Sequence, residues 1–149
     1  MSWLELLIAV AAVLAADQLS KRWVLAEPRF AKALAPGALV SICCITNRRA
    51  NVGLSETGIL VAWIACAALV LFTLDQEMLS ESPLFVAGIG MALGGVTGNV
   101  IDLLWRRGIV DFIAFGSWTI FNVADVAIVG GLGLALWTLG TALSSTAST

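Results

Sequence analysis

The chain has 149 residues, 60% of them apolar and only 12% charged, with a mean hydropathy of +0.98. A water-soluble domain of that size lacks the interior to hide so much apolar surface, so soluble architectures are excluded and a bilayer must serve as solvent. The net charge of −2, with basic residues scattered in pairs, excludes a nucleic-acid partner, and the lack of histidine excludes His-dependent catalytic triads.

Inside hydrocarbon every backbone amide needs a protein partner, which a helix provides within one segment. Residues 1–149 therefore read as a single domain, an all-α membrane protein with four transmembrane helices and a small extended or β element at the membrane surface. The first apolar stretch runs from Trp3 to about Leu25. It carries Glu5 where a cleavable signal peptide has basic residues, and it continues into Asp17, Lys21 and Arg22, so it reads as a retained helix. A long connection follows, about Ala26 to Thr57, in which Pro28, Pro36 and Gly37 precede the apolar run Ala38 to Ile45. Val40, Ile42 and Ile45 favour extended structure, and a strand pair lying on the membrane surface is expected there.

The second stretch is Gly58 to Leu74, joined by the acidic turn Asp75 to Ser82 to a third, Pro83 to Leu104. Proline suits a first helical turn, and so short a link makes these two helices antiparallel neighbours. Gly90, Gly94 and Gly98 recur at intervals of four, which puts them on one face and lets another helix approach closely. The fourth stretch is Ile120 to Leu143, and the small polar tail Ser144 to Thr149 is expected to fray. Each stretch is near the ~20 residues that ~30 Å of hydrocarbon requires. Cys43, Cys44 and Cys66 form no CxxC pair and read as small apolar residues, and with no histidine in the chain the common zinc spacings are absent.

Ionisable groups at membrane depth are costly and are kept mostly where they line a polar pathway or cavity. Asp17, Asp102, Asp111 and Asp125 are such groups. Asn99 precedes Asp102 by three residues and Asn122 precedes Asp125 by three, so on helices each amide points the same way as its acid. Asp111 follows the turn-like Arg106-Arg107-Gly108, and Asp125 lies about one turn inside the fourth stretch; the short connection can fold back and join the two acids. Two carboxylates in a partly dry site share a proton, one serving as base and the other as acid, which is what an aspartyl hydrolase needs to activate water against a peptide carbonyl. A single Asp at a helix end can instead cap or pair with arginine, a reading that is weakest for Asp125, the only charge between Ile120 and Leu143. Asp17 and Lys21, four apart, read as an intrahelical ion pair with a structural or substrate-orienting role, Lys21 being long enough to reach lipid headgroups.

Four blocks in order resemble the lipoprotein signal peptidases, or type II signal peptidases. They are Asp17-Gln18-Leu19-Ser20-Lys21; Asn47 to Gly53; Gly94-Gly95-Val96-Thr97-Gly98-Asn99-Val100-Ile101-Asp102; and Gly108-Ile109-Val110-Asp111-Phe112 running on to Phe121-Asn122-Val123-Ala124-Asp125. The last two reproduce the family patterns G-G-x-x-G-N-x-x-D, V-D-F and F-N-x-A-D. The resemblance implies an aspartyl endopeptidase that works without a metal or cofactor and removes signal peptides from prolipoproteins bearing diacylglyceryl on the cysteine after the cut. It implies a monomer in the bacterial cytoplasmic (inner) membrane, with both termini cytoplasmic and with membrane lipids and the lipidated substrate as partners. Carried over by position, the catalytic pair is Asp111 and Asp125, with Asn99, Asp102 and Asn122 as supporting polar residues and Asp17, Lys21 and Asn47 at other motif positions.

The sequence departs from the family in two places. The second block has Arg49 where a glycine is usual and Val52 where an aromatic is usual, and Leu103 stands where an arginine normally follows the third-block aspartate. These departures keep open a non-catalytic paralogue that binds lipidated peptides, and Asp125 alone keeps open a small proton-coupled transporter. The basic residues gather on the active-site side, so the positive-inside rule taken alone would invert the topology that the resemblance implies.

Overall fold

The computed structural model describes residues 2–31, 39–48, 56–74, 82–116 and 119–146. Helix α1 (Ser2–Ala26) leads through a 3-10 turn (Pro28–Ala31) to strand β1 (Val40–Asn47) and helix α2 (Glu56–Leu74). Helix α3 (Pro83–Arg106), strands β2 (Ile109–Phe115) and β3 (Thr119–Phe121), and helix α4 (Val123–Thr146) complete the order. Within α1, α3 and α4 the segments Trp3–Ala26, Pro83–Arg106 and Val123–Ser144 are long and apolar enough to cross a membrane. Among the described residues the protein is thus mostly helical, with three apolar candidate spans and a small sheet.

Helix α3 lies at the centre because its small residues leave room for neighbours on two faces. A Cβ added at Gly90 would stand 2.8 Å from that of Ala9, one at Gly94 2.9 Å from the Val10 carbonyl oxygen, and one at Gly98 2.6 Å from Asp17 Oδ2. Residue numbers rise together along this contact, so α1 and α3 run parallel. On the other face, Gly88 abuts Gly131 and Ala135 while Gly95 abuts Ala124 and Ile128, so α3 and α4 run antiparallel. The expected glycine face is therefore a helix–helix contact, and Gly88 and Gly95 make a second one.

Helix α2 meets α3 through Trp63, whose Nε1 donates to Thr97 Oγ1 at 3.0 Å, and at its other end Val70 packs near Phe85, Val86 and Leu6. Numbers run in opposite directions here, as the short link between the two helices predicts. Pro83 starts α3, and the preceding Ser82 caps it by accepting from the Phe85 amide.

The strand expectation needs two corrections. Among the described residues the first connection supplies one strand, and its partner comes from the chain after α3: β1, β2 and β3 form one antiparallel sheet in that order. The link between α3 and α4 is consequently a hairpin, and Ile120 and Phe121 belong to β3, which delays the fourth helix to Val123. Gly116 turns the hairpin with a φ of +56°, a conformation that disfavours other residues, and its amide donates to the Leu39 carbonyl. Arg107 takes the left-handed position that ends α3, while Gly108 is needed for its closeness to Thr46 and Arg48 of the β1 end.

Helix α4 continues to Thr146 and so takes in the first residues of the polar tail. Cys43, Cys44 and Cys66 are free thiols, the first buried. The acidic turn at 75–81, residues 49–53 with Arg49 and Val52, residues 32–38, and the last three tail residues lie outside the described residues.

Candidate active site

The α4 N-terminus is where the two acids of the short hairpin come together. Asn122 is the residue before the helix and Asp125 the third within it, and they cap reciprocally. Asn122 Oδ1 accepts from the Asp125 amide at 2.9 Å, while Asp125 Oδ2 accepts from the Asn122 amide at 3.2 Å. This capping box holds the Asp125 carboxyl against the helix end and fixes which end of the Asn122 amide is oxygen. The remaining group, Asn122 Nδ2, donates to Asp111 Oδ1 at 2.8 Å. One residue therefore touches both acids.

Asn99 closes the ring from α3. Its Oδ1 accepts from Lys21 Nζ at 3.1 Å and from Asn122 Nδ2 at 3.3 Å, leaving Nδ2 to donate to Asp125 Oδ1 at 2.9 Å. An ammonium can only donate, so Lys21 settles the orientation of the Asn99 amide. Asp111 is held by the sheet: it lies opposite Ile45 in the β1–β2 register, and Asn47 at the end of β1 reaches its Oδ2 at 3.5 Å.

Asp111 is 7% exposed, whereas Asp125 is half-buried. Burial holds the Asp111 carboxyl above its ordinary titration range and the neighbouring Asp125 pushes the same way, against the lowering influence of the Asn122 and Asn47 amides and of Lys21.

Beneath the ring is a second, drier network. Lys21 is wholly buried and bonds Asp17 Oδ2 and Asp102 Oδ2, both at 2.8 Å. Asp17 Oδ1 also accepts from the Ala124 amide at 3.0 Å, and Asp102 Oδ2 from the Val110 amide at 3.1 Å. Asp102 Oδ1 pairs with Arg106, whose Nη1 reaches Gln18 Oε1 at 3.0 Å. Two expectations change here. Lys21 does not extend to the headgroups, because two carboxylates hold it inside. Asn99 and Asp102, although on one helix face, divide their work: Asn99 touches Asp125, while Asp102 anchors the start of β2. Sequence reasoning also passed over Gln18, whose role in joining α1 to Arg106 and the Gly98 carbonyl was open to view only as a polar residue beside Asp17.

A membrane helix bundle that gathers four aspartates at one end, three of them buried and two of them bonded by Asn122 beside a surface sheet, has the build of a membrane-embedded acid hydrolase. The model of the Signal peptidase (SPase) II family matches residues 9–141. The lipoprotein signal peptidase of Syntrophomonas wolfei is 37% identical over 130 residues, covering 83% of this chain and 85% of that protein. The corresponding protein of Azoarcus is 32% identical over 142 residues (88% and 80%), and that of Mycobacterium avium 36% over 144 residues (86% and 75%). Two solved structures of bacterial membrane enzymes share the fold, with TM-scores of 0.75 and 0.76 at 20% and 21% identity. They cover 90% and 94% of this chain, and 91% and 90% of their own. The chain belongs to the signal peptidase II family.

Proposed function

We propose that this membrane protease removes signal peptides from diacylglyceryl-modified prolipoproteins, using Asp111 and Asp125 as its catalytic pair. The observation that carries the assignment is the amide ring: Asn122 bonds both acids and Asn99 bonds Asp125, which gives two carboxyls one polar setting at the end of an apolar bundle. Asp111, buried deeper, holds the shared proton and presents it to the scissile carbonyl oxygen. Asp125 takes a proton from water as the water oxygen attacks the carbonyl carbon. Collapse of the tetrahedral intermediate breaks the C–N bond, the Asp125 proton passes to the leaving amine, and Asp111 recovers its own. Neither metal nor cofactor enters these steps. Asn99, Asn122 and Asn47 orient the acids, and Asp17, Lys21 and Asp102 are positioning residues behind them.

The proposed setting is a bacterial inner membrane, with the chain acting as a monomeric single domain of four crossings. Helix α2, with 19 residues, spans about 28 Å at about 1.5 Å per residue, close to the ~30 Å hydrocarbon thickness, which supports counting it as the fourth crossing. An even number of crossings returns both termini to one side, assigned here to the cytoplasm.

Cleavage of a lipidated prolipoprotein by the purified chain, beside Asp111→Asn and Asp125→Asn, tests the assignment. Either substitution is expected to lower turnover roughly 10⁴-fold, by analogy with loss of one member of other catalytic constellations. Retention of full turnover by Asp111→Asn, with loss only in Asp125→Asn, would overturn the pair and favour a single-acid proton relay. An inert wild-type chain beside a working control enzyme would favour a non-catalytic binder.

A further inference from the structure

A groove of about 420 Å³ runs between α1 and α3, and its lining among the described residues comes from those two helices. Its wall is mainly apolar, formed by Ala11, Leu14, Ala15, Leu19 and Ile101 with Gln18 among them, and Arg22 and Trp105 stand at one end. Ala11 and Arg22 are eleven residues apart on one helix, roughly 16 Å at about 1.5 Å per residue. That depth is half of the ~30 Å hydrocarbon thickness, or one leaflet. Trp105 is 77% exposed at the same end, as suits an indole at headgroup depth.

Among the described residues that line the groove, Arg22 is the one cation and none is a carboxylate. Arg106 is committed to Asp102 and Gln18, and Lys21 to Asp17 and Asp102. Arg22 is exposed and forms no ion pair among the described residues.

We infer that this groove is a binding site for one anionic phospholipid, its acyl chain lying along Ala11, Leu14 and Ile101 and its phosphate meeting Arg22. A zwitterionic lipid fits the apolar part equally well but carries a fixed cation to the guanidinium, so selectivity resides in the headgroup. The site is separate from the acid–amide ring, and its existence does not depend on the proposed reaction.

Native mass spectrometry of the full chain in detergent, titrated with phosphatidylglycerol or phosphatidylcholine of identical acyl chains, reads the site directly. The first phosphatidylglycerol should be retained at about fivefold lower concentration than phosphatidylcholine, the scale of one basic residue near a membrane surface. Arg22→Ala should erase that difference and Arg22→Lys should keep it, while Leu14→Trp, which fills the groove, should weaken retention of both lipids. Glycerol phosphate, which lacks acyl chains, should not displace the bound lipid. Equal retention of the two lipids by the wild type, a preference that survives Arg22→Ala, or displacement by glycerol phosphate would each overturn the proposal.

Discussion

Asn122 carries three obligations at once: it caps α4, bonds Asp111 and donates its backbone amide to Asp125. Serine can keep the cap, since its hydroxyl accepts from the third helical amide, but it is too short and single-handed to hold Asp111 as well. The lost amide stabilised the ionised Asp111 carboxyl, so its removal raises the titration of that acid further. The expected outcome for Asn122→Ser is a kcat/KM profile whose alkaline limb moves to higher pH, with the α4 helix retained by circular dichroism. A limb that stays still or moves down contradicts the bond. Lys21 makes a different demand, because it neutralises two buried acids and sets Asn99. Lys21→Met leaves Asp17 and Asp102 facing one another without a cation between them, a loss of about 3–5 kcal/mol by the usual cost of breaking a buried pair. Denaturant unfolding in detergent measures this, and unchanged stability would show that the network is not needed for folding.

At the scale of elements, the site depends on how closely α3 and α4 approach. A Cβ on Gly95 would meet the Ala124 carbonyl oxygen at 2.5 Å, directly before Asp125, and backbone cannot swing aside as a side-chain end can. Gly95→Ala should therefore separate the helices, destabilise the protein by about 1–3 kcal/mol and lower kcat by parting Asn99 from Asp125. Gly133 on α4 has open space at the corresponding point, and Gly133→Ala should be neutral or stabilising by up to about 1 kcal/mol. Paired melting curves and rates check both variants; equal effects would show that helix contact is not the determinant. The sheet acts at the same scale. Its β1–β2 pairing brings Asn47 to Asp111 across 64 positions of chain, with Ile45 opposite the acid. Sequence alone favoured extended structure around Val40 to Ile45, because β-branched residues are legible locally. The partner strand was not, because Ile109–Phe115 is nearly as apolar as a membrane helix and only its hydrogen-bonded neighbour reveals what it is.

For the whole molecule, the bilayer decides what counts as interior. Val129 is 74% exposed, Leu136 68% and Trp137 72%, which in water would be a continuous apolar patch and in lipid is an ordinary outer surface. The described arginines cluster towards one end: Arg22 follows Lys21, Arg106 bonds Gln18, and Arg48 lies against Gly108. The positive-inside tendency would place that end in the cytoplasm, whereas the proposed topology places it outside with both termini within. Reporters fused after Thr149 and after Gly116 distinguish these. The first is expected to be active only as a cytoplasmic reporter and the second only as an exported one, and the reverse pattern would invert the protein.

The sequence by itself determined the solvent, the helical character and the candidate acids, since these follow from apolar content, from the backbone's need for internal hydrogen bonds, and from the rarity of charge in apolar stretches. Tertiary structure decided which neighbours those acids have: that Asn99 turns to Asp125 while Asp102 turns to β2, that Lys21 is buried, and that a strand from before α2 completes the site. Local pattern reports the cost of burying a group. Only the packed chain reports which distant group compensates it, because that partner is chosen by helix approach and strand register and not by sequence spacing.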